Sequence, residues 1–416
     1  MRAAAIWAAM QIDTTSSLAA TERRAAPARA GNWSAVFALT LCVSTLIASE
    51  FMPVSILTPI ASDLRLSEGA AGQAISVSGL FAVLTSLTIA SLTRGIDRRA
   101  VLLGLTVLML LSGLFVSFAP NYAVLMIGRA VLGIVIGGFW SLSIATVMRL
   151  VPEDQVPRAL AILNGGNALA TTIAAPLGSF LGQFVGWRGA FFLVVPLAAI
   201  TFVWQWRALP LMPSDRLVRS ASTLGVLHLP NATSGMAAVA LLFAGQFALF
   251  TYLRPFLEHS TGVSVSLLSL ILLAMGGAGL VGTWLISRIV ARNLTAALVF
   301  GPLAMAAIAI LLVVLGTVPL PTGILLAIWG LIGTAMPVAW STWMTRTLPN
   351  DAEAGGGLMV AVIQLAITLG AAGGGLLFDM GGYQATFLVS AILLGASALV
   401  GAASARRWAT VVPAIP

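Results

Sequence analysis

Twelve apolar runs, each long enough to cross a bilayer, recur along the chain between polar breaks. A helix spans the hydrocarbon core with about 20 residues. The runs lie at 34–60, 69–91, 100–118, 122–147, 159–182 and 188–209, and again at 235–257, 266–287, 294–315, 320–345, 355–378 and 383–404. The one long polar break, 210–234, carries Pro210, Pro213, Asp215, Arg216, Arg219 and Pro230 and divides six runs from six. This pattern predicts an all-α membrane protein of twelve transmembrane helices in two six-helix bundles related by a pseudo-two-fold axis. Its parts are a tail at 1–33, a bundle at 34–209, a connecting loop at 210–234, a second bundle at 235–404 and a tail at 405–416. The stretch Ala3–Met10 is too short to span, and no clear cleavage site follows it, so it reads as part of the tail rather than as a signal peptide.

Composition agrees with the pattern. Of 416 residues, 59% are hydrophobic and only 8% charged, against about 25% charged in soluble domains. One soluble core could not hide so much apolar surface, whereas a bilayer accepts it on the outside of the protein.

The net charge of +8 invites a nucleic-acid reading, but its distribution argues against one. All 21 basic residues are arginine, and they sit between apolar runs rather than along one stripe. Counting the tails and every second loop as one side, that side holds Arg2, Arg23, Arg24, Arg29, Arg94, Arg98, Arg99, Arg149, Arg158, Arg207, Arg216, Arg219, Arg288, Arg292, Arg346, Arg406 and Arg407. The other side holds Arg65, Arg188 and Arg254, a bias of 17 to 3. Both termini are therefore expected in the cytoplasm. The Asn-x-Ser/Thr triplets at Asn32, Asn231 and Asn293 then fall on the cytoplasmic side, where glycosylation does not occur.

Several classes of chemistry find no footing. Cys42, the one cysteine, lies inside the first run and permits neither a disulfide framework nor a thiol metal site. His228 and His259 fall in different connections, too little for a zinc site or a nucleophile–base pair. No phosphate-binding glycine loop marks an ATP site. The expectation is a non-enzymatic, cofactor-free and metal-free monomer whose partners are the lipid bilayer, protons and a small solute.

The two halves echo one another. Val151-Pro152-Glu153-Asp154 follows the fourth run, and Leu348-Pro349-Asn350-Asp351 follows the tenth. Gly186-Trp187-Arg188-Gly189-Ala190-Phe191-Phe192 precedes the sixth, and Gly382-Tyr383-Gln384-Ala385-Thr386-Phe387 precedes the twelfth. Arg94 and Arg98 recur as Arg288 and Arg292. Parallel six-helix repeats mark a transporter, with its substrate site near the midplane between the halves. Small-residue steps suit close helix packing in lipid: Gly133-xxx-Gly137, Gly178-xxx-Gly182-xxx-Gly186 and Gly276-Gly277-x-Gly279-xx-Gly282. Pro53, Pro176 and Pro337 should kink their helices or free main-chain carbonyls.

Two charges lie deep, Glu50 and Arg129, and each would cost several kcal/mol facing lipid alone. Glu50 is ~21 Å and Arg129 ~20 Å from the cytoplasmic face at 1.5 Å per residue. At equal height they are expected to face one cavity and to interact there, directly or through water. A carboxylate beside a cavity that opens alternately to each face could carry a proton. Arg254, near the outer end of the seventh run, is placed to orient substrate or to pair with Glu258. Asn164, Asn167, Trp140, Gln246, Trp340 and Gln364 are the polar and aromatic candidates for the cavity wall. Amides with aromatic faces suit a flat heterocycle with hydrogen-bonding edges.

These residues carry a resemblance. From Trp33 to Ser404 the chain resembles the major facilitator superfamily. Gly128-Arg129-xxx-Gly133-xxx-Gly137-Gly138 is similar to the fourth-helix motif of its drug:proton antiporter branch. Ala174-Ala175-Pro176-Leu177-Gly178 resembles that branch's fifth-helix antiporter motif, with Pro176 and Gly178 kept and alanine where glycine is usual. Asp97-Arg98-Arg99 matches part of its gating-loop motif. Asn32-Trp33-Ser34-Ala35-Val36-Phe37, Glu50-Phe51-Met52-Pro53-Val54-Ser55, Gly137-Gly138-Phe139-Trp140, Met148-Arg149-Leu150-Val151-Pro152, Phe243-Ala244-Gly245-Gln246-Phe247-Ala248 and Ala339-Trp340-Ser341-Thr342-Trp343 are similar to bacterial members of that branch that export purine ribonucleosides. The resemblance implies a bacterial inner-membrane pump for nucleosides such as inosine or guanosine, driven by inward proton flow. Neighbouring members of the branch handle sugars or diverse drugs, which remains the alternative.

Overall fold

A computed structural model describes residues 31–213, 223–229, 231–348 and 352–409. Arg2, Arg23, Arg24, Arg29, Arg216 and Arg219, which carry part of the charge bias, lie outside these residues. The described residues form helices and connecting turns, with no strand among them. In chain order the helices are α1 (Trp33–Leu64), α2 (Glu68–Leu92), α3 (Arg98–Ser117), α4 (Tyr122–Leu150), α5 (Val156–Phe192), α6 (Val194–Ala208), α7 (Ala232–Thr251), α8 (Val265–Leu315), α9 (Pro319–Gly333), α10 (Met336–Thr347) and α11 (Ala352–Ala409). Nine stretches of the described residues are long and apolar enough to cross a membrane.

Short polar side chains start these helices by accepting from main-chain N–H groups that have no partner within the first turn. Asn32 accepts from Ala35, Ser67 from Ala70, Asp97 from Arg99, Asn121 from Val124 and Ser264 from Leu267. Asn293 does the same inside α8, where its side chain accepts from Ala296 at 2.9 Å and its own backbone leaves the helical range (φ −154°, ψ 90°). Two of the Asn-x-Ser/Thr triplets are thus helix caps, and the third, Asn231, stands at the start of α7.

The backbone carries the repeat that the sequence shows. Gly186 in α5 has φ 68°, and Gly382 in α11 has φ 67°. Both sit in the left-handed region, which a side chain disfavours. They occupy the same place in the two echoed strings, one residue before Trp187 and Tyr383. The run at 320–345 is divided into α9 and α10, with Pro337 in the first turn of α10. The run at 235–257 ends as α7 at Thr251 and continues through a turn at Leu253–Pro255 and a π-turn at Phe256–Ser260.

Glycine brings helices into main-chain contact. A side chain at Gly133 or Gly137 would strike the carbonyls of Ser78 or Ala82 on α2. One at Gly282 would strike the Leu331 carbonyl, and one at Gly330 the Met275 carbonyl, across the α8–α9 seam. The first half buries one core around Leu39, Leu46 and Phe139, and a second around Ile56, Trp187 and Phe191. A third core, around Trp329, Trp340 and Phe387, belongs mostly to the second half and takes in Val54, Ile75 and Ala175 of the first.

Two ends of the molecule are told apart by their ties. At one, Asn32 donates to Ala208, Arg99 to Trp206, and Arg149 to Pro213. At the other, Arg188 grips Asp63 at 2.5 Å and the Ala119 carbonyl.

Candidate functional site

The main chain of α1 explains where its charges go. In a helix each carbonyl accepts from the N–H four residues on, and proline has none. Pro53 therefore frees the carbonyl of Ser49, and Pro59 that of Ser55. Both are taken by arginines. Arg129 Nη1 donates to Ser49 O at 2.8 Å, while Arg254, from the second half, donates to Ser55 O. Between the prolines Ile56 leaves helical geometry (φ −130°, ψ 22°).

Arg129 is fully buried, and its guanidinium is hydrogen-bonded on all its nitrogens. Nε donates to Ala74 O at 2.9 Å, and Nη2 to Glu50 O at 3.1 Å and Ser78 Oγ at 3.0 Å. This corrects the expectation that its guanidinium faces the cavity. It meets Glu50 through the main-chain oxygen and not through the carboxylate, because the proline-freed segment of α1 offers carbonyls closer at hand. The Glu50 carboxyl points elsewhere. It is 3% exposed, and its partner is Gln364 Nε2 of α11 at 3.4 Å, a neutral amide from the other half of the chain. The Gln364 amide oxygen is itself buried without a hydrogen-bond partner.

One residue beyond Glu50, Phe51 enters a pocket built by both halves. Phe51, Thr171, Thr172 and Ala175 line it from the first half; Gln246, Phe247, Phe250, Leu272, Met275, Gly276, Trp329 and Thr334 are among the lining residues of the second. In this state the cavity measures about 70 Å³, below the range of small-molecule sites. No charged side chain lines it. Three rings meet there: Phe51 stacks on Phe247 (5.7 Å, 28°) and stands edge-on to Phe250 (6.2 Å, 77°). The Gln246 amide oxygen is buried there with no hydrogen-bond partner.

Hydrogen bonds that join described residues of the two halves run from the level of Glu50 to the Arg188 end. Asp379 accepts from Ser67 Oγ at 2.6 Å and from Gly69 N at 3.0 Å, so a carboxylate of the second half caps α2 of the first. Gln73 donates to Ala372 O, and the buried Tyr252 hydroxyl lies on both Ala371 O (2.8 Å) and Gly69 O (3.5 Å). Ser269 and Ser179 pair at 3.0 Å, and Thr172 donates to Gly276 O at 3.3 Å. The molecule is thus latched at the Arg188 end.

A family model described as Major Facilitator Superfamily matches residues 37–370. The chain belongs to that superfamily. It is a multi-pass membrane transporter and not an enzyme. A protein of Pseudomonas aeruginosa named transcription regulatory protein OpdE is 54% identical over 387 residues, covering 92% of this chain and 96% of that one. The purine ribonucleoside efflux pump NepI of Salmonella enteritidis is 43% identical over 375 residues, covering 90% and 94%. In fold, the chain is similar to a bacterial homologue of the human lysosomal transporter Spinster in an inward-facing, unoccupied conformation (TM-score 0.74, 14% identity, 92% and 99% covered). It is also similar to a D-xylose–proton symporter (TM-score 0.72, 15% identity, 92% and 98% covered).

Within this transporter the residues singled out from sequence separate into groups. Glu50 and Gln364 meet across the two halves, and Gln246 lines the pocket. Arg254 pairs with Glu258 (2.7 Å) while crossing to Ser55, and lies outside the pocket lining. Asn164 donates to Leu160 O on its own helix and is exposed; Asn167 is half-buried one turn below Thr171, whose hydroxyl donates to its carbonyl. Trp140 stands edge-on to Phe139. Trp340 is sealed in the core of the second half against Trp343. Asp97 caps α3 and accepts from Met212 N at 2.9 Å, and Arg98 N donates to Met212 O, so this loop is tied to the segment after α6. Pro176 frees the Thr172 carbonyl, against which Gly276 of α8 rests, and Gly178 makes room for Ser55 of α1. Phe51, Phe247 and Phe250 escaped the sequence reading. Their signal was adjacency: each follows Glu50 or Gln246 directly or one turn on.

Proposed function

We propose that this transporter is a proton-coupled antiporter that exports purine ribonucleosides such as inosine and guanosine by alternating access. Its twelve passes come from nine apolar stretches, three of which, 50 to 56 residues long, cross twice with breaks at Gly186, Asn293 and Gly382. At 1.5 Å per residue such a stretch measures ~75 Å or more, over twice the ~30 Å bilayer core. The two bundles are related by a pseudo-two-fold axis. The arginine bias puts both termini and the Asn32 end in the cytoplasm of a bacterial inner membrane, with the Arg188 end outside. The latched state is then inward-facing.

The observation that carries the reading is an uncharged, aromatic pocket one residue from a buried carboxyl that bridges the halves. A nucleoside is flat, neutral and edged with donors and acceptors. Phe51, Phe247 and Phe250 offer it faces, and Gln246 offers an unpaired amide. With no cation in the lining, a phosphorylated nucleotide finds nothing to balance its charge. Glu50 carries the proton. Arg129 serves the coupling by fixing the main chain that bears Glu50 and by balancing the charge when the proton leaves. The likeness to the efflux pump NepI over most of both chains supports the same substrate class.

Everted membrane vesicles test the substrate. Labelled inosine should accumulate saturably under an inside-acid gradient and be displaced by guanosine, but not by xylose or inosine monophosphate. Absence of inosine accumulation, or displacement by xylose alone, would move the assignment to the sugar or drug exporters.

A further inference from the structure

Glu50 and Phe51 are neighbours in sequence yet serve different faces of α1: one reaches Gln364 on α11, the other the pocket. We propose that Phe51 is the positioning residue that couples the two events, so that a planar substrate entering the pocket separates Phe51 from Phe247 and thereby frees the Glu50 carboxyl to release its proton. The inference rests on the reading of Glu50 as the proton carrier.

The geometry supplies each step. Phe51 and Phe247 stack at 5.7 Å. A flat ring needs about 3.5 Å of separation on each face at van der Waals contact, so an intervening heterocycle requires roughly 7 Å between the two rings. The two rings, now in contact, must part to admit it, and Phe250, edge-on to both, must follow one of them. Phe247 lies in α7, packed in the core of the second half. The yielding partner is α1, weakened just beyond Phe51 by Pro53 and Pro59 and already non-helical at Ile56. Movement of Phe51 passes to Glu50 through one peptide unit. The contact it disturbs is the loosest in the site, Gln364 to Glu50 at 3.4 Å, whereas Arg129 holds the Glu50 carbonyl and three further acceptors at 3.1 Å or less. The main chain pivots on Arg129, and the side chain swings. The carboxylic acid gives its proton to water in the inward-open mouth, leaving a carboxylate; no other bond changes. Substrate from the cytoplasm thus expels the proton into the cytoplasm, the order an exporter driven by inward proton flow requires.

The test measures inosine binding and inosine-triggered proton release on the purified full chain, the latter with a pH-sensitive dye in weak buffer. Wild type should release protons in step with binding. Phe51→Leu removes the ring: binding should weaken about 10-fold, as expected for the loss of one stacked face, and proton release at saturating inosine should vanish. Phe51→Trp should restore release. A purely structural role for Phe51 would alter affinity or stability while leaving the protons released per bound inosine unchanged, and that result overturns the proposal. If Phe51→Leu yields no folded protein, Phe247→Leu carries the same test with the same two outcomes. Glu50→Gln is the separate control: release persisting there defeats the assignment of Glu50, whatever Phe51 does.

Discussion

At the residue scale the chemistry of the centre follows from two prolines. Each removes one N–H from α1, and each orphaned carbonyl attracts an arginine. Arg129 pays for its burial with four hydrogen bonds, which explains how a charged side chain survives where lipid or sealed protein would otherwise cost several kcal/mol. Its removal leaves three carbonyls and a hydroxyl in the interior with lost partners, at 1–3 kcal/mol for each that stays unsatisfied. Arg129→Met should therefore destabilise the protein by roughly 3 kcal/mol or more, read as a lowered melting temperature in detergent. Arg129→Lys should recover part of it, since an ammonium has donors but lacks the planar fork. A melting temperature unchanged in Arg129→Met would contradict this account. Glu50 and Arg129 were legible in the sequence as the rare deep charges. How they meet was not, because the direction of a side chain around a helix depends on which carbonyls its neighbours leave free. Phe51, Phe247 and Phe250 were illegible for a related reason. Aromatic residues in an apolar helix fit lipid, a core or a pocket equally well, and these helices are apolar all round.

At the scale of elements, glycine steps set helix separation, and prolines inside helices free main-chain carbonyls. The α8–α9 seam is the tightest expression of this. Gly282 faces the Leu331 carbonyl, and Gly330 the Met275 carbonyl, with no room for a methyl group. Gly282→Val should force α8 and α9 apart and cost at least the 1–3 kcal/mol typical of overpacking. Lower yield of monodisperse protein and a lower melting temperature would report it, and a wild-type melting curve would refute it. Hydropathy separates runs at 183–187, 288–293 and 379–382, the stretches that hold or end on Gly186, Asn293 and Gly382. The turn at Thr334–Ala335 interrupts no apolar pattern. Gly186, Asn293 and Gly382 leave helical geometry in these breaks, and the echo between Gly186-Trp187 and Gly382-Tyr383 marks two of them a second time.

At the scale of the whole molecule, the two halves meet in a graded way. From the Glu50 level to the Arg188 end they are joined by Asp379, Gln73, Tyr252, Arg254 and the Glu50–Gln364 contact. The duplication visible in sequence leads one to expect a site between the halves, and residues of both halves line the pocket. Which end is latched could not be read from the chain, since alternating access gives one sequence two closures. Of the joining contacts, Glu50–Gln364 alone pairs an ionisable group with the substrate level, so proton and solute are expected to exchange through it. The direct measurement is gradient-driven inosine accumulation in everted vesicles by wild type and Glu50→Gln, with inosine counterflow measured in parallel at equal pH. The expected result is that Glu50→Gln loses uphill accumulation while keeping downhill counterflow. Uphill accumulation by Glu50→Gln at the wild-type level would show that the energy enters somewhere else.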